Sequence, residues 1–248
     1  PEARPAGSAT GRVGDPKAFR RSARTPPPIT LPARAGPLTP SSLMPREIFE
    51  AIRSTRLAEL RSTMAAAVPP PAPRFVLEIG CGNGHFLTAY AAAHPDRLCV
   101  GLDLRLERIE KARRKRDRAG LGNLRFLRCD AMDFLRELPP DARLHDIYML
   151  FPDPWPKKRH HKNRLLKTAL LDELAARAGQ GSRLFFRTDY KPYYDEAAHL
   201  VAAHPAWCLL PPGPFGFEHP TIFQSRAAIF HSLAAAFLPP DARKSSDK

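Results

Sequence analysis

The chain is poor in the features that would give a quick structural answer. Its four cysteines, Cys81, Cys99, Cys129 and Cys208, include no C-x-x-C pair, which argues against a structural zinc site. Four cysteines in 248 residues do not make a disulfide scaffold either, and a reducing cytoplasm is the compartment that suits them. No apolar run approaches the roughly 20 residues that span a bilayer, so no membrane association is expected. There is no Gly-Lys-Ser/Thr P-loop, no G-x-G-x-x-G dinucleotide turn, no internal repeat and no heptad run. Acid is scarce: Lys+Arg 39 against Asp+Glu 25 leaves a net charge of +14. That imbalance points to a polyanionic partner, whether nucleic acid, an anionic membrane or an acidic protein.

What remains is enough for one large domain. Hydrophobic residues are 43% and charged residues 26%, ordinary globular values. The 28 prolines are roughly twice the usual share, and they cluster. Residues 1–44 are rich in Pro, Arg, Ala, Gly and Ser, with only Glu2 and Asp15 acidic. Their apolar residues have no period, so a disordered basic tail is expected. An Arg-rich, acid-poor leader also suits an organelle transit peptide, although no amphipathic stripe accompanies it. The first residue is Pro1, as expected where the natural start is missing or processed. A helix is expected over 45–67, with Pro45 at its first position. The core should then run over 74–238, making one domain from 45 to 238, and a polar tail follows at 239–248.

From Arg74 the pattern alternates. Short apolar runs at 75–79, 98–102, 124–127, 146–151, 182–187 and 227–230 read as strands. Helical patterns lie between them at 84–93, 105–118, 162–178 and 191–203. Such alternation predicts an open α/β sheet covered by helices.

The first strand ends in Glu78-Ile79-Gly80-Cys81-Gly82-Asn83-Gly84 and opens a helix. Glycines there let the backbone turn tightly and approach a ligand at the carboxyl end of the sheet. Asp103 follows 19 residues after Gly84, at the end of the second strand. A carboxylate at that place can accept both hydroxyls of a ribose. Asp130 follows the third strand and can accept an adenine amino group. A lone Asp at a strand end also serves as a helix N-cap. Glu78 would repel a pyrophosphate and welcome a cation. Together these features resemble the S-adenosylmethionine-dependent methyltransferase fold, which implies a Rossmann-like, mostly parallel sheet of about seven strands with helices on both faces.

A second signature follows the fourth strand: Phe151-Pro152-Asp153-Pro154-Trp155. Two prolines fix φ around Asp153 and remove backbone donors. Residues 157–164 then hold five Lys/Arg, two His and no acid, which suits a phosphate backbone or a solvated surface run. These stretches, with Gly101-Leu102-Asp103, Cys129-Asp130-Ala131, Thr188-Asp189-Tyr190 and Thr221-Ile222-Phe223, resemble the bacterial tRNA (guanine-N7-)-methyltransferase family from about residue 74 to 232. The resemblance implies methyl transfer from S-adenosylmethionine to N7 of the variable-loop guanosine of tRNA, without a metal. By the same resemblance Glu78, Gly80, Gly82, Gly84, Asp103 and Asp130 bind the donor, and Asp153 is catalytic. Lys157, Asp189, Thr221 and Gln224 contact the substrate. Arg159, His160, His161, Lys162 and Arg164 engage the RNA. The expected partner is tRNA, with the protein a monomer or homodimer and no obligate protein partner.

One departure is plain. The family commonly has Thr-Lys-Phe-Glu where this chain has Thr221-Ile222-Phe223-Gln224, so an acceptor is kept and a charge is lost. Arg226 is retained. Two other readings compete. An amino-methyltransferase acting on adenine or on protein would use an Asn/Asp-Pro-Pro-aromatic loop, whereas here the prolines flank the acid. A non-catalytic RNA-binding module would not need Glu78, the glycines, Asp103 and Asp130 intact. Trp155 and Tyr190 are candidates to stack on a base, a contact worth about 1–3 kcal/mol; Trp155 is equally suited to anchoring its loop. The helix at 105–118, with eight Lys/Arg and three acids, can extend the RNA surface or simply face solvent.

Overall fold

The computed structural model describes residues 46–69, 71, 74–219 and 229–239. Both expected tails, apart from Pro239, lie outside these residues, as do Thr221 and Gln224. The first described element is helix α1 (Arg46–Ala67). It buries Leu60, Met64 and Ala67, which the helical repeat brings to one face.

Among the described residues the centre is a seven-stranded sheet. Its strands in chain order are β1 (Arg74–Ile79), β2 (Leu98–Asp103), β3 (Leu124–Arg128), β4 (Arg143–Leu150), β5 (Ala178–Thr188), β6 (Trp207–Leu209) and β7 (His231–Phe237). In space they run β3-β2-β1-β4-β5-β7-β6. β1 to β5 are parallel to one another, and β7 enters antiparallel between β5 and β6. The chain builds outward from β1 through β2 to β3, then returns to the other side of β1 with β4. The order therefore reverses between β1 and β4, which opens a crevice at the carboxyl ends of the strands.

Strand periodicity fills both faces. Phe75, Leu77 and Ile79 of β1 point into one core, with α1, α4 (Ala131–Glu137), α5 (Thr168–Arg177) and α6 (Lys191–Ala203). Val76 points into the other, with Phe86, Leu87 and Tyr90 of α2 (His85–Ala93) and Ile109 and Ala112 of α3 (Leu106–Arg118). Strands buried on both sides read as continuous apolar runs, which is why the sequence shows them clearly. Between β4 and β5, Asp146 is buried and receives Arg183 at 2.9 and 2.8 Å. Burial pushes its carboxyl up, but the bonds from His145 and Arg183 outweigh burial and hold it below its ordinary value.

Several elements depart from expectation. The helix expected over 162–178 is two pieces, a 3-10 turn (Lys158–Asn163) and α5. β5 begins at Ala178, because Ser182 closes a local turn by accepting from the Gly179 N–H and donating to the Leu144 carbonyl. The late strand expected over 227–230 begins at His231; Ala227 and Ala228 lie outside the described residues, and Ile229 and Phe230 precede the strand. α4 and β6 were not expected at all.

Candidate active site

The glycine turn sits where β1 gives way to α2. Gly80 and Cys81 both donate to the Leu102 carbonyl at 2.8 Å, lacing the turn to the end of β2. Gly80 and Gly82 have φ of 78° and 53°, and a Cβ at either would meet nothing within 4 Å. These two glycines face open space, as a ligand-contacting backbone requires. Gly84 is different. A Cβ there would lie 2.6 Å from the Phe126 ring and 2.8 Å from Ala112. Its absent side chain makes room for α3 and β3. Gly84, expected among the contacts to the donor, therefore also supports the turn by packing.

Three acids gather at the carboxyl ends of β1, β2 and β3. Glu78 is buried, and its Oε2 has no hydrogen-bond partner. Burial pushes its carboxyl up to about 8, the Leu87 N–H opposes that, and the neighbouring Asp103 charge adds to it. A buried acceptor left without a donor is costly, so this group fits a cationic ligand beside the open turn. Asp103 accepts from the Gly82 N–H at 3.0 Å and the Arg105 N–H at 2.8 Å, bracing the turn and the start of α3. Asp130 is exposed and caps α4, its Oδ1 accepting from the Met132 and Asp133 N–H groups. That cap engages one oxygen and leaves the other acceptor directed to no helix donor. Cys81, inside the turn, is buried, and burial pushes its thiol well above its ordinary range, so it is no nucleophile.

The second half of the crevice lies at the ends of β4 and β5. Phe151 and Trp155 have φ of 51° and 45°, a conformation that bulky residues rarely adopt. They bracket Pro152-Asp153-Pro154, so the loop is held in a strained form with Asp153 exposed. The Phe151 N–H donates to the Arg187 carbonyl at 2.7 Å, which joins this loop to the strand end that carries exposed Asp189. Trp155 is half-buried and meets His160 edge-on, at 5.7 Å between centroids. Tyr190 packs partly against the core.

The basic run divides. Lys157, Arg159 and Lys162 are exposed, and His160 and His161 are half-buried. Arg164, expected among the RNA contacts, is buried: it donates to the Pro154 carbonyl at 2.9 Å and pairs with Glu196. A like-charged run in sequence does not reveal which member turns inward. In α3, likewise, Arg113 donates to the Phe126 carbonyl and Lys115 to the Asn83 carbonyl. Part of that basic helix is thus internal structure. Among the described residues, no group of three or more His, Cys, Asp or Glu is placed to hold a metal, and no helix is long and apolar enough to cross a membrane.

Two clusters at the crevice escaped the sequence. One is Arg187, which pairs with Glu218 at 2.9 and 2.7 Å, bonds Ser232 at 2.8 Å and lies over the rings of Phe215 and Phe230. It gathers both ends of the chain stretch that contains Thr221 and Gln224. The other is Arg164 with Tyr193 and Glu196. Only the Arg187–Thr188–Asp189 adjacency hinted at the first.

Comparison with known proteins places these features in a family. Residues 72–212 match the family model described as "putative methyltransferase". The tRNA (guanine-N(7)-)-methyltransferase of Magnetococcus marinus is 34% identical over 187 residues, which cover 68% of this chain and 74% of that protein. The enzymes of the same name from Alkalilimnicola ehrlichii and Halorhodospira halophila are 38% and 42% identical, over 54% and 49% of this chain. The chain spans about half the length of these last two, 56% and 52%. Kinship over 74% of the Magnetococcus relative, with the family model matched across 72–212, decides the matter: the chain belongs to the S-adenosylmethionine-dependent tRNA (guanine-N7-)-methyltransferase family.

Proposed function

We propose that this chain carries out its family's reaction, methylating N7 of the variable-loop guanosine in tRNA, through the two halves of the crevice. The donor half is Glu78, the open turn at Gly80 and Gly82, Asp103 and Asp130. The acceptor half is Asp153 and Asp189, with Lys157, Thr221 and Gln224 as further substrate contacts. The reading rests above all on Glu78, a buried carboxyl group with an unpartnered oxygen beside an open glycine turn. When bound, S-adenosylmethionine supplies an electrophilic methyl group on a sulfonium.

Guanine N7 carries a lone pair and no proton at neutral pH, and it is an open acceptor on the base edge. Attack on the methyl group needs no strong base. It needs in-line placement, an orientational contribution, and a counter-charge for the purine as it becomes cationic. Asp153 and Asp189, at adjacent strand ends, supply that counter-charge. Asp153 is thus orienting and electrostatic, not a proton acceptor. The phosphates nearest the base fall to Arg159, Lys162 and the two histidines. A soluble, cytoplasmic setting, where tRNA is abundant and thiols stay reduced, suits this work.

The test is methyl transfer from labelled S-adenosylmethionine to unmodified tRNA, followed by nucleoside analysis. Label in 7-methylguanosine is expected; label on an exocyclic amine would favour the amino-methyltransferase reading. Asp153→Asn should lower kcat by about 100-fold, or 2.7 kcal/mol, and leave donor affinity intact. A fully active Asp153→Asn enzyme would remove Asp153 from the reacting centre.

A further inference from the structure

Arg164 stands in the basic run, yet only 1% of its side chain is exposed. Its guanidinium is committed inward. Nε donates to the carbonyl of Pro154, the residue after Asp153, at 2.9 Å. Nη1 pairs with Glu196. The guanidinium lies 4.7 Å from the Tyr193 ring centroid, and the Tyr193 hydroxyl accepts the Leu166 N–H at 3.0 Å. Nη2 is buried without a hydrogen-bond partner. Tyr193 and Glu196 belong to the first two turns of α6, which opens directly after Asp189 and Tyr190. One side chain therefore touches the loop of Asp153 and the helix that continues from Asp189.

We propose that Arg164 is a positioning residue for methyl transfer, fixing the Asp153 loop against α6 so that the two carboxylates keep their spacing, and that it makes no phosphate contact. The proposal rests on the reading of Asp153 and Asp189 above. A buried guanidinium with one nitrogen unsatisfied is a poor device for stability, since an apolar side chain of similar size would avoid the desolvation cost. What only the planar fork provides is two directed bonds at a fixed angle, one to the loop and one to the helix. The loop needs such a tie, because φ of 45° at Trp155 would otherwise relax. A shift of about 1 Å at a reacting group can cost on the order of 100-fold in rate.

The experiment compares Arg164→Lys, Arg164→Gln and Glu196→Gln in the full chain. Glu196 is 37% exposed, and Gln keeps an acceptor, so that variant serves if the Arg164 variants fold poorly. Steady-state kinetics would give kcat and KM for tRNA, and binding titrations would give Kd across a salt series. Arg164→Lys and Arg164→Gln should lower kcat by roughly 10- to 100-fold, and Glu196→Gln by roughly 3- to 10-fold. The tRNA Kd and its salt slope should stay as in the wild type. In an Asp153→Asn background, Arg164→Lys should add no further loss, because it acts through that loop. A salt slope shallower by about one would make Arg164 a phosphate contact and overturn the proposal. Unchanged kcat in both Arg164→Lys and Glu196→Gln, or losses that multiply in the Asp153→Asn background, would overturn it too. Full kcat in Asp153→Asn alone is a separate signature: it overturns the Asp153 reading, and the route through Asp153 with it.

Discussion

At the scale of single residues, the Glu78 carboxyl titrates near 8 in the fold and near an ordinary 4.5 in the unfolded chain. Between those values the folded state holds a proton that the unfolded state has released. Stability of the ligand-free protein therefore falls as pH rises from about 5 to 8. Glu78→Gln removes the titration. The variant should melt above the wild type at pH 8 and lose that advantage at pH 5, while its donor affinity drops at least about tenfold; thermal melts and calorimetry check both. A variant that melts below the wild type at both pH values would deny that Glu78 is strained. Glu78, Asp103 and Asp130 were legible because each stands at or just past the end of a strand, and strand ends can be counted. Arg164 and Arg187 were not, because only tertiary packing turns one arginine of a basic run inward or sets another under two phenylalanines.

At the scale of elements, the glycine turn contains two kinds of glycine that look alike in sequence. Gly82→Ala places a methyl group in open space at φ of 53°, so it should cost about 1–2 kcal/mol of stability and reduce donor affinity more than fold. Gly84→Ala drives a methyl group into Phe126 and Ala112, adding about 1–3 kcal/mol of overpacking to the same backbone strain. It should lower the melting temperature well below that of Gly82→Ala; equal losses would deny the distinction. Long, doubly buried strands were readable from composition. α4 and β6, of seven and three residues, are too short to show a period. β7 holds Ala234, Ala235 and Ala236 in a row, a helix-forming composition that pairing on both sides overrides.

At the scale of the whole molecule, the excess charge does not act as one field. Arg159 and Lys162 project from the 3-10 turn, whereas Arg113 and Lys115 spend hydrogen bonds on backbone carbonyls. Replacing Arg159 or Lys162 with Ala should each reduce the salt slope of tRNA binding by about one, with donor affinity unchanged. Arg113→Ala should leave the slope nearly as it was and lower the melting temperature. Equal slopes across all the variants would mean that the RNA does not pass over the 3-10 turn.

The position of β7 also bears on biosynthesis. It lies between β5 and β6, and among the described residues β6 pairs with β7 alone. During translation, β6 leaves the ribosome with no neighbour to join and must wait for the strand that follows it. The Arg187 contacts to Phe230 and Ser232 wait for the same segment. A chain that stops before β7 leaves β6 without a strand to pair with and Arg187 without Phe230 and Ser232.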